Sequence, residues 1–136
     1  MELHQMLSDF RTESFERIDS MERSLLYLAN TPGCGAALND MFRAMRTLTD
    51  SASLFGLGGV VALTRAMENV LVRVCEGEVP SDESLLTLLL SCCEHMRTLI
   101  GQTSSDWTGS PRWKIETTED ELLGRLEGYR LMASVE

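Results

Sequence analysis

Lysine is nearly absent from this chain: Lys114 is the only one, and every other basic side chain is arginine. The 12 basic residues face 21 acidic ones, for a formal net charge of −9. That balance excludes a general nucleic-acid binder, because phosphate backbones are held by clustered Lys and Arg. It argues equally against docking on anionic lipid. No apolar run reaches the roughly 18 residues of a membrane span. The start, Met1-Glu2-Leu3-His4, lacks the basic-then-apolar order of a signal peptide. A cytoplasmic location is therefore expected. Common enzyme signatures are missing too: there is no G-x-S-x-G, no H-E-x-x-H and no paired Cys and His with an orienting group. Gly56-Leu57-Gly58-Gly59 is glycine-rich but lacks the lysine of a phosphate-cradling loop, and reads as a tight turn between helices. Neither enzymatic activity nor a cofactor is expected.

What is present is globular in character. A chain of 136 residues, 43% hydrophobic and 24% charged, fits one domain with a sizeable core. Four cysteines stand at positions 34, 75, 92 and 93. In a cytosolic protein they are expected to be free thiols packed as small apolar groups. Cys92, Cys93 and His95 are not expected to hold a metal, since helix neighbours point about 100° apart.

The pattern is helical throughout, and no strand is expected. A first helix runs from about Glu2 to Ala29, with Leu7, Phe10, Ile18, Met21, Leu25 and Leu28 along one stripe. Asn30-Thr31-Pro32-Gly33 stops it. A second, from about Ala36 to Phe55, repeats Leu38, Met41, Met45, Leu48, Ala52 and Phe55 at steps of three and four. A third, from about Gly59 to Glu76, repeats Val60, Leu63, Met67, Val70 and Val74. The fourth is expected to be N-capped by Ser81 and repeats Leu85, Leu89, Cys92, Met96 and Leu99 up to Gly101. A linker, 102–117, carries Trp107 and Trp113, expected to pack it onto the bundle. Thr118 with Glu121 makes a T-x-x-E capping box for a fifth helix over 118–134, with Leu122, Leu126 and Tyr129 on one side. Gly124 and Gly128 weaken that helix by roughly 1 kcal/mol each relative to Ala, so it needs a surface to lean on. Short connections make neighbours antiparallel. The expected fold is all-α: an up-down-up-down four-helix bundle over 1–101 with an additional C-terminal helix.

The second helix contains Phe42-Arg43-Ala44-Met45-Arg46-Thr47-Leu48-Thr49-Asp50-Ser51-Ala52, followed by Leu54-Phe55-Gly56-Leu57. The third contains Ala66-Met67-Glu68-Asn69-Val70-Leu71, and Gly77-Glu78-Val79-Pro80 precedes the fourth. This ordered set resembles the histidine phosphotransfer (HPt) domain found at the N-terminus of chemotaxis-type (CheA) histidine kinases. That family's second helix reads approximately F-R-x-x-H-T-L-K-G-x-A, its loop F-L-G-L, and its third helix A-x-E-x-x-L. The resemblance implies a role in two-component phosphorelays, with a response-regulator receiver domain or histidine-kinase domains as partners. It also implies that Arg46 stands where the family has its phosphoacceptor histidine, Thr49 where it has lysine and Asp50 where it has glycine. Glu68 matches the family residue that orients the histidine.

An imidazole offers a free nitrogen lone pair at neutral pH, whereas guanidinium stays protonated and accepts no phosphoryl group. Phosphotransfer through this face is thus expected to be lost. Arg43, Arg46, Thr49, Asp50 and Glu68 are then a partner-binding face, with Arg46 able to pair with Asp50 at i,i+4 and with Glu68 across the helices. Two alternatives stay open. One is cryptic phosphotransfer through another residue such as His95, for which a structural role on the flank of the fourth helix is the plainer expectation. The other is a structural or dimerisation module of a larger CheA-like kinase.

Overall fold

A computed structural model describes residues 2–31, 35–103 and 117–135, the side chains of Leu3, Thr117 and 132–135 excepted. Among the described residues the regular elements are five helices: α1 (Leu3–Asn30), α2 (Gly35–Leu54), α3 (Gly58–Cys75), α4 (Glu83–Gly101) and α5 (Thr117–Val135). Cys34, Trp107, Trp113 and nearly all of the expected linker lie outside the described residues.

The apolar stripes decide the architecture. Ile18, Met21, Leu25 and Leu28 of α1, Met41, Met45, Leu48 and Ala52 of α2, Val60, Leu63, Met67 and Val70 of α3, and Leu85, Leu89, Cys92 and Met96 of α4 are all buried in one core. Each helix has one such stripe, so each must pack on two neighbours to cover it. α1 packs on α2 and α4, and α3 packs on the same two, which closes the ring. Met21, Met41, Met45, Met67 and Met96 are fully buried and serve as flexible core filler. α5 crosses the outside of α3 and α4, burying Leu122 and Leu126. This is the surface that its weak intrinsic propensity requires.

Polar ties fix the edges. Arg97 of α4 holds Asp19 and Glu22 of α1. Arg11 Nη1 of α1 donates to the Thr103 carbonyl at 2.7 Å, just past the end of α4. α2 and α3 both end in the same six-residue wrap. Leu57 N–H donates to Ala52 O and Gly56 N–H to Ser53 O; Glu78 N–H donates to Arg73 O and Gly77 N–H to Val74 O. Gly56 (φ 72°) and Gly77 (φ 77°) occupy the left-handed position that this motif needs.

Two helix starts differ from the sequence expectation. Asp82, not Ser81, caps α4: its Oδ1 accepts from Leu85 N–H at 2.9 Å. Both residue types cap well, and only the backbone path after the buried Val79 selects between them. Thr118 is the second residue of α5, so it lies within the helix and does not precede it. The cysteines also divide. Cys92 and Cys93 are buried as expected, while Cys75, the last residue of α3, is exposed.

Gly77 and Gly128 both have open space where a Cβ would go, but only Gly77 has a positive φ. Gly77→Ala should therefore destabilise by about 1 kcal/mol. Gly128→Ala should stabilise by roughly the same amount through helix propensity. Thermal unfolding of the two variants should show shifts of opposite sign.

Candidate functional site

The outward side of α2 and the adjoining side of α3 enclose an open groove of about 510 Å³, lined by Asn39, Phe42, Arg43, Arg46, Thr47, Asp50, Glu68 and Val72. Its position follows from the register of the buried stripe. Met41, Met45, Leu48 and Ala52 point into the core, so residues 39, 43, 46, 47 and 50 point away from it. Half-buried Phe42 and 37%-exposed Val72 give the groove an apolar floor.

Arg46 and Glu68 meet across the groove, with Nε to Oε1 at 3.8 Å. The Arg46 side chain is 75% exposed and that of Glu68 30%. A pair this long and this wet is worth about 0–1 kcal/mol, so it places Arg46 without holding it. Among the described residues Arg46 forms no ion pair with Asp50, the i,i+4 partner that the sequence suggested. The guanidinium leans toward α3 instead. Arg43 is exposed and has no ion pair among the described residues. Arg65 lies one turn before Glu68 on α3 and is exposed as well. Arg43 and Arg46 thus share the groove with Asp50 and Glu68 on a chain of net charge −9.

Thr49 does something different. Its hydroxyl lies 2.8 Å from the Met45 carbonyl and 2.7 Å from Thr64 Oγ1 of α3. Thr64 is fully buried, and its hydroxyl donates back to Val60 O at 3.0 Å. Thr49 is therefore turned into the α2–α3 seam, while Arg46 and Asp50 point outward. The three positions share a helix side, but a small hydroxyl beside a buried one gains a partner by facing inward. Sequence reasoning passed over Thr64 and the apolar pair Phe42 and Val72; the signal for the latter was their place flanking the buried stripes.

His95 lies elsewhere. It is 8% exposed on α4, its Nε2 3.5 Å from Glu119 Oε1 of α5. His4 is exposed near the start of α1. Neither of the chain's two histidines lines the groove. Among the described residues no cluster of His, Cys, Asp and Glu has the arrangement to hold a metal ion. Burial pushes the Cys92 thiol up to about 12, against a smaller pull downward from Arg125. Cys93 is raised further by burial, with Glu22 and Cys92 adding to it and Arg97 opposing. Burial thus disfavours the thiolate form of both. No described helix is long and apolar enough to cross a membrane.

Comparison with known proteins gives the family of the fold. Residues 5–101 match the Hpt domain family. The chain belongs to that family. It is 30% identical over 124 residues to the sensor histidine kinase CheAY of Helicobacter pylori, covering 89% of this chain and 15% of that protein. It is 29% identical to the chemotaxis protein CheA of Listeria monocytogenes over 105 residues, covering 77% of this chain and 17% of that one. CheA of Bacillus subtilis is 29% identical over 100 residues, with 74% and 15% covered. The chain thus spans about one sixth of the length of the curated relatives it matches. In fold it is similar to the phosphorylated P1 domain of CheA3 from R. sphaeroides, solved in complex with CheY6. The TM-score is 0.79 at 21% identity, covering 98% of this chain and 99% of that one. The Hpt fold and the similarity to CheA P1 domains agree with the all-α bundle and C-terminal helix read from the sequence.

The two polar links of the α2–α3 seam should respond differently to mutation. Arg46→Ala should change stability by less than about 0.5 kcal/mol, because the pair is exposed and long. Thr64→Val should cost about 1 kcal/mol, because it removes the polar tie between the helices and leaves the Thr49 hydroxyl only the Met45 carbonyl of its own helix. Urea denaturation of both variants measures the contrast.

Proposed function

We propose that this Hpt domain is a degenerate one, which docks a response-regulator receiver domain without accepting phosphate. The observation that carries the reading is the exposed Arg46 at the centre of the groove, in the place that the resemblance assigns to the phosphoacceptor histidine. Guanidinium has five donors, no acceptor and no accessible neutral form, so it cannot be the nucleophile in phosphoryl transfer. Thr49 is engaged with Thr64 and brings no positive charge to the transfer position. Asp50 is exposed on the same side, where its carboxylate would repel an incoming phosphoryl group.

What remains suits binding. Receiver domains present a pocket of clustered carboxylates with Mg²⁺, and arginine matches carboxylates in a bidentate fork. On this reading Arg46 enters that pocket, Arg43 adds a second cationic contact, and Phe42 with Val72 supplies the apolar part of the footprint. The P1 domain of similar fold was solved with a CheY protein bound, which supports a receiver as the class of partner. The module would act by occupying the receiver, and no catalytic role is assigned to it.

The test compares wild type with two variants. Arg46→Glu should weaken receiver binding by at least about tenfold, or about 1.4 kcal/mol. The triple variant Arg46→His, Thr49→Lys, Asp50→Gly should take up acid-labile phosphate from a CheA-type kinase core, where wild type takes up none. Equal affinity of wild type and Arg46→Glu would count against docking through Arg46. Phosphate uptake by wild type would overturn the degenerate reading itself.

A further inference from the structure

Docking through Arg46 leaves one feature of the groove unexplained: the carboxylate that already faces it. Arg46 and Glu68 line the groove from opposite walls, one on α2 and the other on α3. Their separation, 3.8 Å from Nε to Oε1, is too long for a hydrogen bond. A guanidinium fork is aimed by short, paired N–H···O bonds, so this contact does not aim it. The charge acts all the same, because Coulomb attraction falls only as the inverse of distance. The Arg46 side chain is 75% exposed and that of Glu68 30%, so Glu68 is the more sheltered member and Arg46 the freer one. Asp50 gives the contrast. It is exposed in the same groove and stands one turn along α2 from Arg46, yet forms no ion pair with it among the described residues.

A partner whose carboxylates reach Arg46 meets two penalties at Glu68. It draws the guanidinium away from a carboxylate already beside it. It also brings its own negative charge up to that carboxylate. Orientation offsets neither, since the contact is too long to orient the fork. We infer that Glu68 is an internal competitor for Arg46, which holds receiver docking weaker than the arginines of the groove alone would make it and keeps the complex short-lived. This deepens, and rests on, the reading that Arg46 enters a receiver pocket. Glu68 is thereby given a selective role of its own: it sets how strongly a partner must attract Arg46 before docking occurs.

The experiment measures affinity and dissociation rate on the full chain. The probe is whichever receiver domain of the same organism wild type binds most tightly, in Mg²⁺. The variants are Glu68→Gln, Asp50→Asn and Arg46→Ala, with each of the first two also combined with the third. Gln keeps the shape of Glu and removes its charge, and thermal unfolding checks that every variant is folded. An exposed pair of this kind favours the paired form by up to about fivefold. Glu68→Gln should therefore tighten binding by about threefold to fivefold, chiefly through slower dissociation. Asp50→Asn should tighten it by less than about twofold, as loss of one unpaired charge from the same face. In the Arg46→Ala background Glu68→Gln should gain no more than Asp50→Asn does. Weaker binding by Glu68→Gln would show that the carboxylate orients Arg46, and would overturn the competitor. A gain no larger than that of Asp50→Asn in the wild-type background would reduce it to general surface charge. A larger gain that survives Arg46→Ala intact would place its action on the partner and not on Arg46. Each of these three results overturns the inference and leaves docking through Arg46 standing. Arg46→Ala binding as tightly as wild type, or wild type binding no receiver, sinks the docking reading itself and the competitor with it.

Discussion

The packing of α2 against α3 is the constraint from which the groove follows. The buried stripes of the two helices interdigitate, and the Gly56 turn that joins them is locked by two backbone hydrogen bonds. Once Met45 and Leu48 face the core, Arg46 has to stand at the rim, because neighbouring helix positions diverge by about 100°. Once Met67 faces the same core from α3, Glu68 has to stand opposite. The Thr49–Thr64 hydrogen bond of 2.7 Å sits just inside this rim and joins the seam where the apolar contact ends. The site is thus a by-product of core register, and a one-position slip of either helix would remove it.

Much of this was legible in the residues. The three-and-four spacing gave every helix and most of the core, since a stripe of Leu, Met and Val has few ways to avoid water other than a shared core; it missed Leu57, Leu71, Leu86, Leu88 and Ile100, which are buried beside the stripes, and it counted Phe55, Val74 and Leu99, which are only partly buried. The outward placement of Arg43, Arg46 and Asp50 followed by subtraction. The relations between helices did not follow. Whether Arg46 leans toward Asp50 or toward Glu68 depends on the distance between α2 and α3, which no single-helix argument supplies. Thr49 was read as part of an outer face because its partner, Thr64, is distant in sequence. Glu119 and Asp120 stand side by side in the first turn of α5. Nothing local separates the two; the difference is which of them meets Gly59 and His95 when α5 lies down.

The electrostatics of the two polar sites run in opposite senses, and burial is the reason. Arg46 and Glu68 form a recognisable ion pair, yet high exposure makes it weak and leaves the guanidinium ready for another acceptor. His95 and Glu119 are no closer than an ordinary contact, yet both are almost fully removed from water. Interactions there act through a lower dielectric, and a group left without compensation is expensive. The overall charge of −9 therefore says little about either site. It describes the solvated surface, whereas the groove sets two arginines against two carboxylates and the α5 seat hides a carboxylate.

Position also explains how an Hpt fold can stand with Arg46, Thr49 and Asp50 in its second helix. None of the three belongs to the buried stripe of Met41, Met45, Leu48 and Ala52. Surface changes away from caps and strained backbone alter stability by about 0.5 kcal/mol or less, whereas emptying a core methionine position costs about 2–5 kcal/mol. The chemistry of an Hpt domain rests on outward positions and its fold on inward ones, so the two can vary separately. The degenerate reading needs only that separation. It asks the core for nothing, and the inward hydrogen bond of Thr49 to Thr64 closes the seam beside Arg46 and Asp50.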